Sequence, residues 1–137
     1  METHRILIVD DDPGVRALLV ALLRHRGYGY DLAADGEEAV CHLRRASYDA
    51  VLLDLMLPKV NGFEVLRFIR AERQHMLPRV IVLTAASNAT LRDFDTSGIR
   101  ALMRKPFDIH ALMDELDACR DGHPSVEQRS LSAAPPE

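Results

Sequence analysis

Residues 5–13 read RILIVDDDP, a β-branched, apolar run that breaks into three acids and a proline. Residues 5–9 have the composition of a short strand. Asp12 before Pro13 signals a helix start. An aspartate side chain accepts hydrogen bonds from the free amides of a first turn, and proline fits the opening position because its missing N–H is not needed there. A strand, an acidic turn and a helix form the repeating unit of an α/β fold, and the rest of the chain repeats it.

Beyond the acids, Val15, Leu18, Leu19 and Leu22 share one face of a helix predicted over residues 13–26, with Gly27 as its stop. Residues 28–33 form a second strand. Asp35 and Glu38 have the spacing of a capping box, opening a helix that runs to about residue 46. Residues 50–53, AVLL, are continuously apolar, as in a strand buried on both faces, and end at Asp54. After the loop LMLPKVNG a helix is predicted over residues 62–72. The run VIVL, residues 80–83, ends at Thr84, and a helix is predicted over residues 89–96. A fifth strand over residues 99–103 ends near Lys105-Pro106, and a last helix over residues 107–120 carries Leu112, Met113 and Leu116 on one face. Residues 121–137 are polar and contain Pro-Pro, so the expected division is a folded domain over 1–120 and a disordered tail over 121–137. Alternating strands and helices imply a parallel sheet covered on both faces, with right-handed connections.

Composition narrows the function. The chain has 137 residues, 47% of them hydrophobic and 28% charged, with a net charge of -4 and no Trp. A mildly acidic domain with few stacking side chains is a poor reader of nucleic acid. Cys41 and Cys119 lie far apart without a metal-binding spacing and read as buried, inert thiols, and the scattered histidines do not read as a zinc site. No apolar run reaches membrane-spanning length and no leader is evident, so a cytoplasmic, membrane-free protein is expected.

The strand ends hold the chemistry. In a parallel sheet the carboxyl ends lie on one edge, where ligands bind. That rule brings Asp10, Asp11, Asp54, Thr84 and Lys105 into one crevice. Neighbouring carboxylates repel one another unless cations join them. Lys105, one of only two lysines, supplies one positive charge. A hard divalent cation such as Mg²⁺ suits oxygen ligands and shares its shell with phosphate oxygens. An aspartate in such a place can act as nucleophile in phosphoryl transfer, giving a labile acyl phosphate. Asp12 fits a helix cap better than a ligand.

The pieces ILIVDDDP, LLDLMLPKVNG, VIVLTA and MRKPF, in that order, resemble the receiver domain of two-component response regulators over about residues 4–120. The resemblance implies a flavodoxin-like, doubly wound fold with sheet order 2-1-3-4-5. It implies that Asp54 is the phosphoacceptor, that Asp11 and Asp54 ligate Mg²⁺ with the Met56 backbone carbonyl, and that Asp10 acts mainly through water. Thr84 and Lys105 would contact the phosphoryl oxygens, the Lys105-Pro106 bond would be cis, and Gly62 would permit the turn into the third helix. The aromatic residue common in the family two positions before its Arg-Lys pair is replaced by Leu102. Met56 and Ala86, two residues beyond Asp54 and Thr84, are apolar and unable to orient a water, which predicts slow loss of the phosphoryl group.

The implied function is a stand-alone signalling domain rather than a turnover enzyme. It would take a phosphoryl group from a sensor histidine kinase or histidine phosphotransfer protein and change a surface read by a downstream protein. Neither nucleic acid nor membrane is an expected partner, and a monomer or weak homodimer is expected. Two alternatives stand beside it. One is a receiver-like binding module that works without phosphorylation. The other is a haloacid-dehalogenase-type phosphatase with Asp10 as nucleophile and Asp12 as acid/base, which leaves Asp54 without a role.

Overall fold

The protein is described here by a computed structural model covering residues 4–122. Strands β1 (Arg5–Val9), β2 (Gly29–Ala33), β3 (Ala50–Leu53), β4 (Val80–Thr84) and β5 (Ala101–Arg104) alternate with helices α1 (Pro13–His25), α2 (Gly36–Arg45), α3 (Gly62–Glu72), α4 (Asn88–Leu91) and α5 (Ile109–Arg120). The sheet is parallel throughout and ordered β2-β1-β3-β4-β5, as expected.

Alternation along each strand divides the core in two. Leu7, Val9, Val51, Leu53, Val80 and Val82 face α2 and α3, where Leu43, Val65 and Ile69 meet them. Ile6, Ile8, Leu52, Ile81 and Leu83 face α1 and α5, where Leu19, Leu23, Leu112 and Leu116 meet them. Residues 6–9, 50–53 and 80–83 of the three central strands are therefore continuously apolar, because neither face meets water; only Arg5 at the start of β1 and Thr84 at the end of β4 are polar.

Side chains at the helix starts fix where the loops end. The Asp12 carboxylate accepts from the amides of Gly14 at 2.8 Å and Val15 at 3.4 Å, which confirms its capping role. Asp35 accepts from the Glu38 amide at 2.8 Å, but Glu38 reaches the amide of Ala34 rather than that of the cap itself. Asn61 and Asp108 cap α3 and α5, so the last helix begins later than the expected residue 107.

Two regions differ from the expectation. A 3₁₀ helix, Gln74–Arg79, fills a stretch left without an element, with Pro78 inside it. The helix predicted over residues 89–96 is only the single turn Asn88–Leu91. Asp95 there turns its carboxylate onto Ser97, accepting from its amide at 2.9 Å and its hydroxyl at 2.6 Å, and Gly98 takes a positive φ of 83°. Such local side-chain bonds offer the backbone an alternative to the helix. The fifth strand consequently starts at Ala101 instead of residue 99. The cysteine expectation also needs correction. Cys41 is exposed, with the Arg45 guanidinium 3.2 Å from its sulfur, while burial pushes the Cys119 thiol up to about 11. The expected tail begins at residue 121, and beyond Gly122 it lies outside the described residues.

At the edge of the sheet, Asp31 in β2 ties together β1 and the loop before β3. It accepts from the Tyr48 hydroxyl at 2.7 Å and from the Arg5 guanidinium at 2.7 Å. The Arg5 hydrogen bond, assisted by Tyr48, holds the Asp31 carboxyl below its usual range. A depressed carboxyl stabilises the fold above its unfolded pKa, and that contribution is lost as pH falls through the folded value. Asp31→Asn should therefore cost about 1–2 kcal/mol at neutral pH, less than a buried hydrogen bond to a charged group because the Arg5 side chain is half exposed. Denaturant titrations should show the difference shrinking below the ordinary carboxylate pKa of 3.8.

Candidate phosphoacceptor site

The sheet register carries the functional side chains to one edge. Val9 pairs with Leu53, so Asp10 and Asp54 leave β1 and β3 side by side. Thr84 pairs with Arg104, so Lys105 follows directly beyond the end of β5. Backbone bonds continue the sheet one residue further: Asp10 N–H to Ala33 O at 3.1 Å, Asp54 N–H to Val9 O at 2.9 Å, and Lys105 N–H to Thr84 O at 2.9 Å.

The carboxylates and the ammonium meet there. Lys105 Nζ donates to Asp10 Oδ2 at 2.7 Å and to Asp54 Oδ2 at 3.2 Å. Asp10, Asp11 and Asp54 each offer a carboxylate oxygen, all within 4.8 Å of one another. Asp10 and Asp54 are buried, whereas Asp11 is exposed at the mouth. The Lys105-Pro106 peptide is cis.

Burial pushes the Asp54 carboxyl above its usual value, and the negative charge of Asp10 adds to the effect. The Met56 amide and the Lys105 ammonium oppose the rise without cancelling it. Burial alone would lower Lys105, but its hydrogen bonds and charge interactions with Asp10 and Asp54 outweigh that and keep the ammonium charged. One ammonium thus serves two buried carboxylates, with a third acid nearby, and leaves the cluster short of positive charge.

One feature escaped the sequence reading. The polar side chain at each of three strand ends accepts a hydrogen bond from the amide two residues on. Asp10 Oδ1 accepts from Asp12 at 2.9 Å, Asp54 Oδ1 from Met56 at 3.0 Å, and Thr84 Oγ1 from Ala86 at 3.1 Å. Asp and Thr favour such turns, so residue type carried the signal. The bonds orient one oxygen of each acid onto the chain and leave the other, Oδ2, for Lys105. They also give Met56 a role through its amide, while its side chain stands 53% exposed.

Gly62 closes the site from behind. A Cβ at that position would lie 2.3 Å from the Asp54 carbonyl oxygen and 2.4 Å from Leu55 Cα. The start of α3 packs against the backbone that carries Asp54, and the absence of a side chain permits it.

The geometry agrees with independent similarities. The family model for the response regulator receiver domain matches residues 6–117. The transcriptional regulatory protein TcrA of Mycobacterium tuberculosis is 38% identical over 130 residues, covering 94% of this chain and 51% of that protein. The CAI-1 autoinducer sensor kinase/phosphatase CqsS of Vibrio cholerae is 34% identical over 84% of the chain and 17% of its own length. The chain thus spans about half the length of TcrA, the first of these curated relatives. Among solved structures, the receiver domain of the sensor histidine kinase PA1611 from Pseudomonas aeruginosa, with magnesium in its active-site cleft, superposes with a TM-score of 0.74 at 34% identity. That match covers 85% of this chain and 96% of the other. The response regulator TrrA from Thermotoga maritima, in complex with Mg²⁺ and BeF, gives a TM-score of 0.75 at 33% identity, covering 85% and 99% of the two chains. A parallel sheet in this order, with its acids and lysine at the carboxyl edge and a family pattern running from β1 into α5, has one reading: the chain belongs to the receiver domain family of two-component response regulators.

Proposed function

We propose that Asp54 accepts a phosphoryl group from a phosphohistidine on a partner protein and holds it as a transient signal. The observation that carries this is the convergence of the Lys105 ammonium on the facing oxygens of Asp10 and Asp54. Oδ2 of Asp54, the oxygen that faces Lys105, would attack phosphorus, and the phosphorus–nitrogen bond would break with its electron pair returning to the imidazole ring. Lys105 sits where it would balance charge on the transferring oxygens. Thr84, buried at the end of β4, would turn its hydroxyl to another of those oxygens.

The donor set fits a hard divalent cation: three carboxylates within reach of one another, two of them buried, with less positive charge than negative. Asp11 and Asp54 would hold Mg²⁺ with the Met56 carbonyl, and Asp10 would act through water. When bound, Mg²⁺ would neutralise charge on the phosphoryl group.

A sensor kinase or a histidine phosphotransfer protein suits this chemistry as donor, and output would pass to a protein target through a changed surface. No helix among the described residues is long and apolar enough to cross a membrane. The folded domain ends near residue 120 in this reading. Incubation with acetyl phosphate should add one phosphoryl mass to the intact protein only when Mg²⁺ is present. No gain would favour a binding module that works without phosphorylation. Once labelled, the protein should lose its phosphoryl group over minutes or longer, since Met56 and Ala86 offer no polar side chain to orient water. Loss within seconds, followed by intact mass, would overturn that expectation.

A further inference from the structure

We propose that Arg104 is a latch: it holds the β4–α4 loop in its resting position and opposes the movement of Thr84 toward a phosphoryl group on Asp54. The inference rests on the proposed role of Asp54 and assigns the regulation of that same site to a positioning residue outside the acidic cluster.

The geometry is a chain of hydrogen bonds that begins at Thr84. Its Oγ1 accepts from the Ala86 amide at 3.1 Å. The carbonyl of Ala86 accepts from Arg104 Nη1 at 2.9 Å, and the other terminal nitrogen, Nη2, donates to the side-chain oxygen of Asn88 in the first turn of α4. Ala86 is therefore gripped on both sides, its N–H by the threonine and its C=O by the arginine. It is only 5% exposed, so little water stands ready to replace either bond.

The three strand-end turns are alike in their local bonds, and the Thr84 turn is held in addition by Arg104 at the carbonyl of Ala86 and the side chain of Asn88. A shift of Oγ1 toward Asp54 would either break its bond to Ala86 or draw the loop along with it. Drawing the loop along would break both Arg104 bonds. The planar fork of a guanidinium suits two separate acceptors, which a lysine ammonium on a flexible stem would hold less firmly.

Position along the chain supplies the coupling. Lys105 directs its ammonium to Asp10 and Asp54, and its amide donates to the Thr84 carbonyl at 2.9 Å. Its immediate neighbour Arg104 reaches the loop. One strand end therefore touches both the charge that a phosphoryl group would alter and the segment that would move. Small changes at Lys105 would bear on two discrete loop arrangements, held or released.

Amide hydrogen exchange and the rate of phosphorylation by acetyl phosphate with Mg²⁺, both on the full chain, test the latch. In the unphosphorylated protein, Arg104→Ala should speed exchange at residues 86–91 and phosphorylation by about fivefold, the lower range of coupling between linked sites. Exchange in the central strands should not change, which separates release of a latch from general destabilisation. Arg104→Lys, with one donor nitrogen in place of two, should lie between the parent and Arg104→Ala. Asn88→Ala, at an exposed position, removes one arm and should give a smaller change in the same direction; it decides the question should Arg104→Ala not fold. Parental loop exchange and phosphorylation rate in these variants, in a protein that gains the phosphoryl mass, overturn the latch alone. A parent chain that takes no phosphoryl group overturns the reading of Asp54, and the latch with it.

Discussion

Asp54→Asn should reduce phosphorylation by acetyl phosphate and Mg²⁺ to background, a fall of about a hundredfold or more, because the nucleophile itself is removed. The same substitution should make the metal-free protein more resistant to urea. Burial raises the Asp54 carboxyl above its ordinary value, so the folded chain holds that proton more tightly than the unfolded chain does. Ionised Asp54 therefore opposes folding, and the stability it withholds grows as pH rises from 3.8 through the folded value. Asparagine keeps the shape and an acceptor for the Met56 amide without the charge. Lys105 retains its closer partner, Asp10, at 2.7 Å. A variant that is inactive and less stable than its parent would mean that the Lys105–Asp54 contact outweighs the burial of the charge.

Gly62→Ala should be strongly destabilising. Its Cβ would stand 2.3 Å from the Asp54 carbonyl oxygen. Backbone cannot yield as the end of a flexible side chain does. The Gly62 amide is bonded to the Leu55 carbonyl at 3.0 Å, and the Asp54 amide to Val9 at 2.9 Å, so both sides of the contact are tied. A cost of about 3 kcal/mol is expected, at the upper end of ordinary overpacking, and a large share of a domain's marginal stability. The urea midpoint should fall with little change in slope. Phosphorylation of the folded fraction should fall too, since a displacement of about 1 Å at a reacting group costs about a hundredfold. A parental midpoint would show that α3 can back away from β3 at little cost.

Much of this arrangement was legible in the sequence for simple physical reasons. The continuous apolar runs of β3 and β4 can be satisfied only by cover on both faces, which requires helices between parallel strands. That topology in turn places Asp10, Asp54, Thr84 and Lys105 on one edge, so the site followed from the fold. The caps were legible where a single side chain dominates, as at Asp12 and Asp35. The segment between β4 and β5 was not. The helical pattern over residues 89–96 competes with the bonds that Asp95 makes to Ser97, and such competition is settled by a few local contacts that periodicity does not register. The 3₁₀ helix at Gln74–Arg79 is too short for a periodic signal. Nor does spacing reveal that Arg104 reaches Ala86 and Asn88, because the contact joins β5 to a loop whose path depends on how α4 ends. The chemistry of the site was readable, whereas the connection from the site to its neighbouring loop required coordinates.

Reduction of the acyl phosphate identifies the acceptor residue. Protein phosphorylated with acetyl phosphate and Mg²⁺ is treated with borohydride, which converts an aspartyl phosphate to homoserine, and its peptides are sequenced by mass spectrometry. The expected product carries homoserine at position 54, with Asp10, Asp11 and Asp12 intact. Homoserine at position 10 would instead identify Asp10 as the nucleophile, as in a phosphatase of the haloacid-dehalogenase type. Its absence from every position would contradict phosphorylation of this chain altogether.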